Sequence, residues 1–162
     1  MRQFAVLYHL TGDYVSAGTA VAGVVHHGNG AKEAAQRLCA KPGTRECGAV
    51  SLAVQYYAEA ETLFSVSRGS FMPAPNVDSA VIKLTPKAEL PLEGVTERRL
   101  FALIKAAFGK RRKTLQNALQ DTGLSREQVT AMLDECAVPV TARAEQLTLE
   151  QFMELAKAYP AK

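Results

Sequence analysis

Apolar positions recur with a helical period along the last half of the chain. In TERRLFALIKAAF, residues 96–108, Leu100, Phe101, Ile104, Ala107 and Phe108 share one side of a helix. RKTLQNALQ, residues 112–120, continues the pattern with Leu115, Ala118 and Leu119. SREQVTAMLDEC, residues 125–136, opens with a Ser-x-x-Gln capping box, Ser125 to Gln128, and sets Val129, Met132, Leu133 and Cys136 for burial. TLEQFMELAKA, residues 148–158, repeats the device with Thr148 and Gln151. Residues 87–162 therefore read as wholly helical, entered through the linker PKAELPLEG at 86–94.

Residues 32–86 have a different texture. KEAAQRLCA predicts a helix that stops at KPG, and GAVSLAVQYYAEA, residues 48–60, predicts another. AETLFSV, residues 60–66, and VDSAVIKL, residues 77–84, are rich enough in β-formers to be two strands. The link between them, SRGSFMPAP, is too long for a tight hairpin. Pro73 and Pro75 fix φ and remove two backbone donors, which predicts a stiff loop that cannot join the sheet. Residues 1–31 show no sustained period. AVAGVVHHGNG, residues 20–30, reads as a strand and turn with no clear second strand to pair with.

Length and composition set the outer bounds. The 162 residues suit one ordinary domain or two small ones, and 48% apolar residues can fill a core. Three cysteines without framework spacing read as reduced thiols of an intracellular protein. No apolar run approaches membrane-spanning length, and the first residues lack the order of a signal peptide. A cytoplasmic location is the expectation.

Net charge is only +3, so its distribution carries more than its total. Lys110, Arg111, Arg112 and Lys113 are four consecutive cations. They fit a solvated helix start or, on a short surface turn, a set of phosphate contacts. At a helix N-terminus they oppose the helix dipole, an electrostatic cost that a polyanionic partner would offset. Phe71, in its proline-rich loop, fits either a core position at a strand end or a preorganised stacking partner for a flat base. His26 and His27 are adjacent and point apart, and His9 has no partner at ligand spacing. Cys39 and Cys47 lack a second pair, so no metal is expected. No Ser/His/Asp set, phosphate-binding glycine loop or paired carboxylates appear.

AQRLCAKPGTRECGAVSLAVQYYAEAETLFSVSRGSFMPAPNVDSAVIKL, then AAFGKRRKTLQNAL, then TARAEQLTLEQF, closely resembles the C-terminal half of the small-subunit ribosomal RNA adenine dimethyltransferases. The resemblance covers about residues 32–162, with three motifs in order. It implies an α+β fragment: the end of a Rossmann-like methyltransferase domain, with helices and two edge strands over 32–86, followed by a small all-helical, rRNA-docking domain over 87–162. The family dimethylates two adjacent adenines near the 3′ end of 16S rRNA, using S-adenosylmethionine as donor. Its Phe-x-Pro-x-Pro-x-Val loop borders the target-base pocket, and Phe71, Pro73, Pro75 and Val77 occupy those positions here. Extruding a base calls for a rigid stacking partner, which accounts for an aromatic beside prolines. Lys110, Arg111, Arg112 and Lys113 match the family's basic helix start. The implied partner is 16S rRNA in the small ribosomal subunit, with no membrane, no metal and a monomeric state.

The family's donor-binding glycine loop, its acidic residues and its Asn-Leu-Pro-Tyr motif are not legible here. The expectation is a truncated chain that neither binds S-adenosylmethionine nor acts alone. Residues 1–31 suggest why. Read in the next frame, the codons of residues 3–14 permit Asn-Leu-Pro-Tyr-Tyr-Ile-Thr-Ser-Pro-Val-Ile-Met, the family's catalytic motif and following helix start. Residues 1–31 are accordingly expected to be a frame-shifted segment, an idea that stands or falls with the coding DNA. Two other readings remain open: a non-catalytic RNA-binding or ribosome-assembly module, and an inert fragment with an exposed sheet edge.

Overall fold

The computed structural model describes residues 13–17, 20–25, 31–74, 76–90, 94–110 and 112–159. The described chain divides into two compact units, residues 1–40 with 54–90, and residues 41–53 with 91–162. Most of the predicted segment 3–14, together with the three histidines, lies outside the described residues.

The first unit is an antiparallel sheet with a helix on it. Strands β1 (Asp13–Ala17), β2 (Ala20–Val25), β3 (Ala58–Val66) and β4 (Ser79–Pro86) lie in the order β1-β2-β4-β3. Helix α1 (Ala31–Leu38) packs against β2, β3 and β4, burying Ala35 and Leu38. In β4, Ala80, Ile82 and Leu84 are buried at every second position, as the pleat requires of a half-covered sheet. The pairing of β2 corrects the expectation that this segment has no strand to join, since Val21 to Val25 register with Leu84 to Ala80. The partners are far apart in sequence, so local pattern could not announce them.

A second correction concerns helix α2 (Ala49–Tyr57), expected to run to residue 60. Ala58 begins β3 instead, registered with Pro86, and the Lys87 N–H donates to the Tyr57 carbonyl at 2.9 Å. Ala-Glu-Ala is a helix-forming sequence, but the β4 ladder captures it. β4 in turn starts at Ser79 rather than Val77, because Asp78 serves the preceding loop. Leu63 forms a bulge, the register stepping from Thr62↔Ile82 to Phe64↔Val81.

The second unit is helical. Thr96 caps α3 (Glu97–Phe108) by accepting from the Arg99 N–H, and Leu100, Leu103, Ile104 and Ala107 are buried. Phe101 and Phe108 are only half-buried, so Leu103 takes part of the role assigned to them. Phe108 stacks on Phe152, ring centroids 6.0 Å apart. Helix α4 (Leu115–Gln120) is shorter than the expected 112–120, because Thr114 caps it and leaves Arg112 and Lys113 outside. Helices α5 (Arg126–Glu135) and α6 (Leu149–Ala158) both open with the capping boxes read from the sequence. Leu133 and Phe152 are fully buried, whereas Cys136 stays half-exposed at the C-cap of α5. Buried Gln116 donates to Thr130 Oγ1 at 2.7 Å, joining α4 to α5. The 41–48 loop is held by the Gly43 N–H, which donates to the Glu145 carbonyl at 2.7 Å.

Helix α5 ends in a Schellman motif. The Val138 N–H reaches the Leu133 carbonyl at 2.8 Å and the Ala137 N–H reaches Asp134 at 3.0 Å. The residue between helix and loop, Ala137, is left-handed with φ 53. An L-residue there costs about 1–2 kcal/mol, against about 0.5–1 kcal/mol of extra chain entropy for glycine. Ala137→Gly should therefore stabilise the protein by about 0.5–1 kcal/mol, read as a higher urea midpoint at unchanged slope.

Candidate nucleic-acid interface

Two surface features gather the side chains that the sequence singled out, one in each unit. In the sheet unit, the loop Ser67–Asp78 leaves β3 at Val66 and returns at Ser79, its paired register partner. Three hydrogen bonds shape its first half. Ser67 caps a short 3-10 turn, Arg68–Ser70, by accepting from the Gly69 N–H at 3.4 Å. The Ser70 N–H donates to the Ser67 carbonyl at 3.0 Å, and the Phe71 N–H to the Arg68 carbonyl at 3.4 Å. The two ends are then clamped by the Arg68 N–H, which donates to Asp78 Oδ1 at 3.0 Å.

This scaffold places the expected base-pocket residues unequally. Phe71 is half-buried, extended at φ −118, and engaged with the protein. Pro73 is exposed and follows a cis Met72-Pro73 bond. Val77 is half-buried at the return to the sheet, while Pro75 lies outside the described residues. Met72, which drew no attention in the sequence, is the most exposed large apolar side chain among the described residues, at 99%.

In the helical unit, Lys110, Arg112 and Lys113 lie in the turn between α3 and α4, the short surface turn of the phosphate-contact reading and not a helix start. The Lys113 N–H donates to the Lys110 carbonyl at 2.8 Å and closes that turn. Arg112 and Lys113 are exposed, and Arg111 lies outside the described residues. Because the turn precedes the Thr114 cap, the cations do not sit in the first turn of α4 and its dipole opposes them less. Lys110 is ion-paired with Asp121, both side chains about half-exposed. Asp121 is the C-cap of α4, a place no local motif linked to the run.

Neither Cys39 nor Cys136 has the lowered pKa of an activated thiol. Burial pushes the Cys39 thiol up, opposed by a hydrogen bond from Thr62 and reinforced by Glu61. Burial also raises Cys136, with Glu135 and Glu154 adding to it. Both thiols stay protonated near neutral pH. Among the described residues, no three His, Cys, Asp or Glu side chains gather as a metal site, and no helix is long and apolar enough to cross a membrane.

A methyl-donor site of the Rossmann type needs a parallel strand feeding a helix through a glycine-rich turn. Every strand pairing among the described residues is antiparallel. A cleft in the helical unit, about 450 Å³, is lined by Glu135, Cys136, Ala137, Glu154, Lys157 and Ala158, with no glycine turn. Among the described residues no parallel strand leads through a glycine-rich turn into a helix.

Residues 30–160 match the family model for ribosomal RNA adenine dimethylase. A "Ribosomal RNA small subunit methyltransferase A" from Lachnoclostridium phytofermentans is 46% identical over 128 residues, covering 77% of this chain and 44% of that protein. Its namesake in Geobacillus sp. is 44% identical over 131 residues, covering 78% and 45%. The chain thus spans less than half the length of these relatives. Among solved structures, a Plasmodium falciparum dimethyladenosine transferase superposes with TM-score 0.71 at 19% identity, over 94% of this chain and 60% of the other. The 23S rRNA methyltransferase ErmE gives 0.58 at 24% identity, over 86% and 54%. At those identities the two structures speak for the fold alone, an α+β arrangement like that of methyltransferases. The match over residues 30–160 and the sequence identities together establish that this chain belongs to the ribosomal RNA adenine dimethylase family.

Proposed function

We propose that this chain supplies the base-holding loop and the RNA-docking helices of an rRNA adenine dimethyltransferase. In the whole enzyme S-adenosylmethionine is the methyl donor and the amino group of an extruded adenine in small-subunit rRNA is the acceptor. Residues 32–86 are the end of the methyltransferase domain, and residues 87–162 its small helical companion. The observation that carries this reading is the clamped loop, in which Arg68–Asp78 bonding and the 3-10 turn preorganise Phe71 and Pro73. A preformed loop spares the entropy of ordering on binding, which suits capture of a single unstacked base. Phe71, Pro73, Pro75 and Val77 border that base, and Lys110, Arg111, Arg112 and Lys113 contact phosphates. On this reading these 162 residues on their own bind RNA without transferring methyl.

Phosphate contacts give binding that weakens steeply with salt and reads little sequence. Replacing both Arg111 and Arg112 with Ala should weaken binding to a 16S rRNA 3′-end hairpin and flatten the salt slope by roughly one unit per lost contact. Asp121→Asn should act in the opposite sense. It releases Lys110 from its ion pair, so affinity should rise and the slope steepen by up to about one unit. Anisotropy titrations at several salt concentrations read both variants; unchanged slopes would reduce the basic turn to a solvated face. Calorimetry should show no specific binding of S-adenosylmethionine to the chain, and a saturable micromolar isotherm would overturn that part of the reading.

A further inference from the structure

We infer that Met72 is a base-contacting side chain, packing its thioether on the face of an unpaired RNA base at the tip of the Ser67–Asp78 loop. The inference rests on the RNA-facing reading above and goes beyond it in assigning the first contact to the residue at the first unspecified position of the Phe-x-Pro-x-Pro-x-Val pattern.

Four large apolar side chains are exposed among the described residues: Leu63 45%, Phe64 58%, Val140 36% and Met72 99%. Single exposed apolar residues are ordinary. Leu63 and Phe64 have a local cause, since they lie at the β3 bulge, where the edge strand steps out of register. No such cause exposes Met72. Its neighbours on either side are constrained: Phe71 by its N–H bond to the Arg68 carbonyl, Pro73 by its ring. The loop ends are tied by Arg68 and Asp78, so the tip stands on a closed base. An unbranched thioether held out in this way gains little in water. It gains contact energy when it meets a flat π surface, where sulfur–aromatic packing is favourable.

The family match favours a nucleic-acid base over an acidic or apolar protein surface as the occupant. Arg68 and Asp78 are both exposed at the foot of the loop, where Asp78 Oδ1 accepts from the Arg68 N–H, so the clamp adds no net charge of either sign. Because Phe71 is half-buried and already engaged, Met72 is the side chain that an incoming base reaches first. Apolar side chains of this kind, methionine among them, are inserted against bases elsewhere when a stack is opened.

The test is oxidation footprinting of the full chain with dilute hydrogen peroxide, read by mass spectrometry on the tryptic peptide 69–83. Buried Met132 serves as internal control. A 16S rRNA 3′-end hairpin with unpaired loop adenines should slow Met72 sulfoxide formation several-fold, while the fully paired stem should not. Met72→Ala should lower hairpin affinity about two- to tenfold at unchanged salt slope, and Met72→Leu should restore most of it. If the hairpin binds with steep salt dependence but leaves Met72 oxidation and Met72→Ala affinity unchanged, the assignment to Met72 is overturned and the RNA reading stands. If neither hairpin nor stem binds, both are overturned. Equal protection by the paired stem would also overturn it, since a duplex presents no free base face.

Discussion

The antiparallel ladder between β3 and β4 is the constraint on which the sheet unit depends. β4 carries the buried row Ala80, Ile82 and Leu84, and burying each such side chain contributes on the order of 1–3 kcal/mol. Its register fixes Val66 opposite Ser79, which brings the two ends of the twelve-residue stretch 67–78 together at the top of the sheet. A loop of that length has many conformations unless its ends and its path are both held. The ladder holds the ends; the Ser67 cap and the Arg68–Asp78 bond hold the path. The side chains at the tip then inherit a defined direction from a ladder that they do not join.

The helical unit achieves a comparable result by capping. Thr96, Thr114, Ser125 and Thr148 each accept from an N–H of the following turn, and each such cap contributes on the order of 1 kcal/mol. The Thr114 cap has a functional consequence. By starting α4 at Leu115 it leaves Lys110, Arg112 and Lys113 on a turn, exposed and clear of most of the dipole repulsion that a helix start would impose. Asp121 then tempers one of the four cations, so the charge offered to a polyanion is smaller than the sequence count suggests.

The sequence by itself determined the helices of the second unit, two of the capping boxes, both β3 and β4, and the family. Those features are local: a 3.6-residue apolar period, a Ser or Thr with Gln three residues on, and a proline-stiffened motif are all written within a dozen residues. What the tertiary structure decided depends on partners far along the chain. The end of α2 at Tyr57 and the strand start at Ala58 follow from pairing with Pro86 and Lys87. The place of β2 follows from an open edge of β4, and the tether of the 41–48 loop from the Glu145 carbonyl. The unequal exposure of Phe71 and Met72 likewise has no sequence signal, because adjacent residues in a turn are sorted by how the clamped backbone points them. Propensity and period act over a turn or two of chain, whereas register, counter-ions and the direction of a loop tip are settled only when distant segments share a hydrogen bond.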